Sequence, residues 1–203
     1  MRFINEFDKI FDPIQDNYEP WEISLCNQFL PSDSIVLELG GRLGIVSCFI
    51  NQKLSNKHAH VVVEPNEKYI EYLNINKTKN YCHFEILKGA ISKIPLHYNP
   101  AQELCYPCSL EESNIKTYSY QDAVNLLGLT SPTFNTIVAD CEGAFERFLK
   151  ENLDQIRNWN YVHLEADFSD KCNYNWIDET LLENGFSKTS YNIQHIYRRE
   201  LLQ

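Results

Sequence analysis

The stretch Val36-Leu37-Glu38-Leu39-Gly40-Gly41-Arg42-Leu43-Gly44 decides how this chain folds. An apolar run of strand type stops at two glycines, and directly after it Ile45, Val46, Phe49, Ile50 and Leu54 recur at helical spacing. Glycine lets the backbone turn sharply between strand and helix and lets a ligand approach it closely. The start of the helix then presents partial positive charge to whatever sits there. The spacing is not that of G-x-G-x-x-G: from Gly40 the next glycines fall one and four residues on, where that signature needs two and five. Taken alone this is a weak signal, and a tight strand-to-helix turn is the plainer reading of the glycines.

Working outward, the same alternation continues. Strands are expected at Ile35–Leu39, His60–Glu64, Phe84–Lys88, Thr136–Cys141 and Tyr161–Glu165, with apolar stripes of helical period between them. Tyr69, Ile70, Leu73 and Ile75 form one stripe, with Asn66 as its N-cap. Phe145, Phe148, Leu149, Leu153 and Ile156 form another, and Trp176, Ile177, Thr180, Leu181 and Leu182 a third that ends at Asn184-Gly185. Such a pattern builds βαβ units around a mainly parallel sheet. The end of the chain differs: Phe186–Tyr191 and Ile193–Arg199 leave no room for a crossover helix and must pair as an antiparallel hairpin. Before the first strand, Trp21–Leu30 reads as a packing or lid helix. Pro95–Ser113 shows no period and reads as a long functional loop.

Composition narrows the function classes. The chain has 203 residues, 43% hydrophobic and 23% charged, the proportions of one ordinary globule or of one domain with an appendage. Its formal net charge of -10 repels phosphate backbones, which argues against nucleic acid as a partner. No run approaches the ~18 apolar residues of a membrane span, and acids follow Met1-Arg2-Phe3-Ile4-Asn5 too soon for a secretory segment. Seven cysteines, an odd number, read as reduced thiols of a cytoplasmic protein. Cys105-Tyr106-Pro107-Cys108 lacks the further ligands that zinc requires and reads as plain loop.

The candidate site lies where strands end. Glu64 closes the second strand, 24 residues after Gly40, where doubly wound folds use a carboxylate to accept hydrogen bonds from both ribose hydroxyls. Asp140-Cys141-Glu142-Gly143 closes the fourth strand, and Glu165 the fifth, with His163 two residues earlier on the same face. Three carboxylates and an imidazole are expected to converge there. Their chemistry admits recognition of a cofactor amine, general-base work or a hard-metal site, against the plainer roles of helix caps or partners of Arg147.

Together these pieces resemble the FkbM-like S-adenosylmethionine-dependent methyltransferases over roughly residues 33 to 199. The resemblance is carried by Val36 to Gly44, Val63-Glu64-Pro65-Asn66 with Leu73 and Asn74, Ser109-Leu110, Ile137 to Ala144, and Tyr161 to Glu165. It departs at Ala139, where the family commonly has lysine, and at Phe145, which moves the family's second glutamate to Glu146. The resemblance implies a Rossmann-like α/β fold, a mostly parallel seven-stranded sheet with a C-terminal antiparallel hairpin. On that reading residues 1–32 are an N-terminal helical extension and 33–203 the methyltransferase domain.

The implied activity is O-methylation of a sugar hydroxyl in a glycan or glycoconjugate. S-adenosyl-L-methionine is the implied cofactor and S-adenosyl-L-homocysteine its product. Glu38 and Glu64 would orient the cofactor, Gly40 and Gly44 admit it, and Pro65, Gly89, Ala90 and Asp140 complete its site. Asp140, Glu142 and His163 are the candidates for the base, while Tyr98, Tyr106 and Ser109 would cover the acceptor. A divalent metal bridging the carboxylates is the less favoured variant, and no metal ligands are assigned. The alternatives are a nicotinamide-dependent Rossmann oxidoreductase and a non-catalytic module of a larger glycan-building protein.

Overall fold

A computed structural model describes residues 1–130 and 132–199; of the span 33–203, residue 131 and residues 200–203 lie outside the described part. Strands β1 (Phe3–Ile4) and β2 (Ile10–Phe11) pair antiparallel and precede helix α1 (Pro20–Phe29). Then β3 (Val36–Leu39), α2 (Ile45–Lys53), β4 (His60–Glu64), α3 (Glu67–Lys79) and β5 (Glu85–Lys88) follow as two crossovers. Asn66 caps α3 by accepting from the Lys68 N–H, and Glu67 at one end with Lys77 and Lys79 at the other suit the helix dipole.

The segment expected to be a loop is built instead from short strands. β6 (Ala90–Ile91) pairs parallel with β9 (Thr117–Tyr118), and between them β7 (Leu96–Asn99) and β8 (Leu104–Pro107) form an antiparallel hairpin. Leu96, Tyr98 and Leu104 are buried, so the hairpin has an inner face. Helix α4 (Tyr120–Leu126) comes next, started by a capping box in which Ser119 and Asp122 bond each other's backbone N–H.

β10 (Thr136–Ala139) leads to α5 (Phe145–Glu151), and the stripe read as one helix through Ile156 breaks at Asn152 into a 3-10 turn, Leu153–Asn158. β11 (Tyr161–Glu165), α6 (Tyr174–Glu183), β12 (Phe186–Tyr191) and β13 (Gln194–Arg199) complete the described chain. The expected hairpin is present, turned at Asn192 with φ 56.

The main sheet has the order β12-β13-β11-β10-β3-β4-β5. Five strands are parallel, and β13 lies antiparallel between β11 and β12. Side chains alternate across it. Leu37, Val61, Ile137 and Val162 meet the layer that includes Phe148, Ile177 and Leu181, while Val36, Val62 and Val138 face α1, α2 and α3. Both faces are covered, as a parallel sheet requires. β3 crosses over to β4 on one side and meets β10 on the other, so the topological switch lies between β3 and β10, where open α/β sheets leave a crevice.

Candidate active site

The glycine turn sits in that crevice. Gly40 has φ 95, and a Cβ on it would lie 1.7 Å from the Asp140 carbonyl oxygen, so no side chain fits between the two strand ends. The N–H groups of Gly40 and Gly41 both donate to the Val63 carbonyl, at 3.0 and 3.2 Å, and this draws the turn over the end of β4. There Glu64 receives the Arg42 N–H on Oε2 and the Asn66 N–H on Oε1, each at 2.7 Å. Burial outweighs these bonds and raises its carboxyl to about 7. Gly89, at φ 144, lets the chain pass the Lys116 carbonyl, which a Cβ would meet at 2.1 Å.

Asp140 and Glu142 stand across the cleft from Glu64. Burial, and then repulsion from Glu165, push the Asp140 carboxyl well above the usual carboxylate range. Glu142 occupies a left-handed backbone conformation at φ 53, and burial with Asp140 and Asp167 nearby raises it to about 8. Neither acid has a salt-bridge partner among the described residues. Arg147 makes no ion pair there either; its Nη1 reaches only the Cys105 carbonyl, at 3.5 Å. Glu146 is occupied structurally, pairing with Lys150 at 2.5 Å and accepting the Asn173 N–H at 2.7 Å.

The cleft between these two ends measures about 840 Å³ with its open mouth. Gly40, Glu64, Pro65, Gly89, Ala90, Asp140 and Glu142, all singled out in the sequence, line it. Arg42, Tyr69, Glu103 and Arg147 line it too and were not foreseen in that role. The Arg42 guanidinium lies over the Tyr69 ring, 5.5 Å from its centroid, and the Tyr69 hydroxyl donates to Glu103 Oε1 at 2.5 Å. Tyr98 closes the cleft from the hairpin, its hydroxyl accepting from Asn66 Nδ2 at 3.0 Å. A second cleft, about 980 Å³ with its open mouth, shares Cys105, Glu142, Ala144 and Arg147 with the first and runs past Tyr106, Lys150 and Lys171. Ser109 lines neither and donates to Glu112 at 2.9 Å.

Three expected site residues lie elsewhere, which corrects the reading that they line the site. His163 is one pleat pair, roughly 6.6 Å, deeper along β11 than Glu165. Its Nδ1 meets Cys26 Sγ of α1 at 3.3 Å and its Nε2 meets Gln194 Oε1 at 2.6 Å. Burial lowers its pKa to about 4, so the ring stays neutral and cannot join the acids. Glu38, on the same sheet face, is tied by Ser47 Oγ at 2.7 Å and His60 Nε2 at 2.8 Å and points beneath α2. Gly44 is needed for packing: a Cβ there would stand 2.4 Å from Leu73 Cδ1 of α3.

No family model and no curated protein matches the chain. Solved structures do. Precorrin-6y C5,15-methyltransferase from Geobacter metallireducens is 11% identical, over 91% of this chain and 88% of its own, with a TM-score of 0.54. A ribosomal protein L11 methylase from Lactobacillus delbrueckii is 12% identical over 98% and 82%, TM-score 0.52. A methyltransferase from Pyrococcus furiosus is 17% identical over 94% and 84%, TM-score 0.52. At such identities the likeness speaks for the fold alone, and the FkbM-like subfamily remains with the sequence motifs. The chain has the Rossmann-like α/β fold of these methyltransferases, a mostly parallel seven-stranded sheet ending in antiparallel strands.

Proposed function

We propose that the chain is an S-adenosylmethionine-dependent O-methyltransferase acting on a sugar hydroxyl of a glycan or glycoconjugate. One observation carries the cofactor half of this reading. The Glu64 carboxylate is fixed by two backbone N–H groups at the rim of the cleft, beside a glycine turn that admits no side chain. Each carboxylate oxygen has a lone pair left after its amide bond, and a ribose diol offers two donors to match. The cleft also carries four carboxyls, on Glu64, Glu103, Asp140 and Glu142, against the guanidiniums of Arg42 and Arg147. Carboxyls held protonated by burial there can ionise against a ligand bearing an ammonium and a sulfonium. The glycine spacing, which departs from G-x-G-x-x-G, disfavours the oxidoreductase alternative.

When bound, S-adenosylmethionine supplies a methyl group activated by a positive sulfur and leaves as S-adenosylhomocysteine. The chain's own part is to bind, align and take a proton. Glu64 holds the ribose, Gly40 allows close backbone approach, Gly89 and Ala90 lie beside the adenine, Pro65 completes the cofactor wall, and Asp140 receives the amino group. Alignment of an acceptor oxygen contributes several kcal/mol to an in-line displacement. Glu142 borders both clefts, and with a pKa of about 8 it is basic enough to accept the proton of a hydroxyl as its bond to carbon forms. The second cleft, with the Tyr106 ring on its wall, is the acceptor groove. The sugar assignment rests on the resemblance of the motifs.

Calorimetry with S-adenosylhomocysteine tests the cofactor. The folded chain should bind it, and Glu64→Ala should weaken binding roughly 10- to 150-fold, the loss of hydrogen bonds to a charged acceptor. Unchanged affinity in a folded Glu64→Ala protein overturns the ribose assignment. Methyl transfer from labelled cofactor to a panel of glycans tests the acceptor, and binding without turnover on any of them would mean a non-catalytic module.

A further inference from the structure

A separate group of acids lies beside the cleft, where the start of α1 meets the end of β11. One carboxylate oxygen from each of Glu19, Glu22 and Glu165 lies within 4.8 Å of the others. Glu22, in the first turn of α1, is 4% exposed, and its carboxyl has no hydrogen-bond or ion-pair partner among the described residues. Glu19 is the N-cap residue of the same helix and makes no side-chain cap bond. Asp140 adds a fourth acid at the border, within reach of Glu165. A buried carboxylate without a partner is costly, and here its nearest neighbours carry the same sign.

We propose that Glu19, Glu22 and Glu165 form a binding site for a hard divalent cation. All three supply oxygen, the donor such ions prefer, and none of the soft ligands that select zinc or copper takes part. Bonds of 2.3–2.6 Å, the calcium range, place opposite oxygens about 4.6–5.2 Å apart, so three oxygens within 4.8 Å of one another can share one calcium whose other ligands are water. Magnesium, at 2.0–2.1 Å, demands a tighter octahedron and draws more of its shell from water. The ion joins α1 to the end of β11 and offsets charge next to Asp140. This site is distinct in its residues from the proposed cofactor cleft and does not depend on methyl transfer.

The test is titration of the full chain with calcium, manganese or magnesium chloride at neutral pH, followed by calorimetry and by the melting temperature. The expected result is one saturable site that raises the melting temperature, tightest for calcium. Glu22→Gln and Glu165→Gln should each weaken it at least about tenfold, and Asp154→Asn, on the exposed 3-10 turn, should leave it unchanged. Glu165, at the strand end and less buried, carries the test if Glu22→Gln fails to fold. Absence of saturable binding up to ~10 mM, beyond the range of weak calcium modules, overturns the proposal. So does equal affinity in both variants; the acids then share protons instead.

Discussion

Glu64 and Asp140 stand at the ends of β4 and β10, on either side of β3, and both look into one cleft. Their surroundings differ. Glu64 is complete before any ligand arrives, each oxygen held by an amide of the turn that follows its own or a neighbouring strand. Asp140 is surrounded by Glu165, Glu19 and Asp167, and nothing positive among the described residues neutralises the group. One end of the cleft is thus rigid and satisfied, and the other holds charge in suspense. The difference separates two tasks, fixing a ligand's position and responding to its charge.

The comparison breaks most severely at Gly40. Gly40→Ala places a methyl group 1.7 Å from the Asp140 carbonyl and demands a left-handed φ from alanine, so β3 and β10 must part at the switch point. Cofactor binding should be lost and the melting temperature should fall by several degrees, as scanning calorimetry with and without S-adenosylhomocysteine will measure. A protein that still binds with wild-type affinity would mean that the two ends are not mechanically joined.

A sharper and milder probe is Glu142→Gln. Its carboxyl binds a proton more tightly folded than unfolded, so the apo protein loses stability as pH rises from about 4.5 to about 8. Glutamine cannot ionise and removes that loss. The variant should therefore melt at an equal or higher temperature at pH 9, while turnover on a verified acceptor falls by about 10²-fold. Normal turnover would move the base elsewhere, with Asp140→Asn the next variant to assay.

The smallest effect concerns pH. Glu64, with a pKa of about 7, accepts hydroxyl donors best when ionised. Affinity for S-adenosylhomocysteine should rise from pH 6 to pH 8 by up to about tenfold, the change in ionised fraction across that range. Glu64→Gln should flatten the profile. A slope that survives the substitution would assign the titration to another group.

The middle of the sheet was readable because β3, β4, β10 and β11 are buried on both faces and so appear as mainly apolar runs; His60–Glu64 and Tyr161–Glu165 have the expected bounds. The hairpin of β7 and β8 was hidden by Pro95, Pro100 and Pro107, which interrupt an alternation, Leu96-His97-Tyr98-Asn99, that is present in the residues. α4 was missed although Ser119 and Asp122 have the spacing of a capping box, because seven residues give too little period to see. In the site, Glu64 and Asp140 follow from position alone, since strand ends set their place. His163 does not: its side of the sheet was legible, but its depth below α1 depends on packing with Cys26 and Gln194, two residues far away in the chain. Arg42 and Tyr69 approach each other only after α3 docks, a contact that no local pattern encodes.

The place of β13 also governs when this protein becomes whole. Of the described strands it is the last to be synthesised, yet it lies inside the sheet, bonded to β11 on one side and β12 on the other. From the emergence of β11 until β13 follows, β11 presents a bare edge and β12 has nothing to pair with, so the nascent molecule carries an open, sticky flank over that interval. Closure of this flank waits for β13, and a chain truncated just before Gln194 should be prone to aggregate.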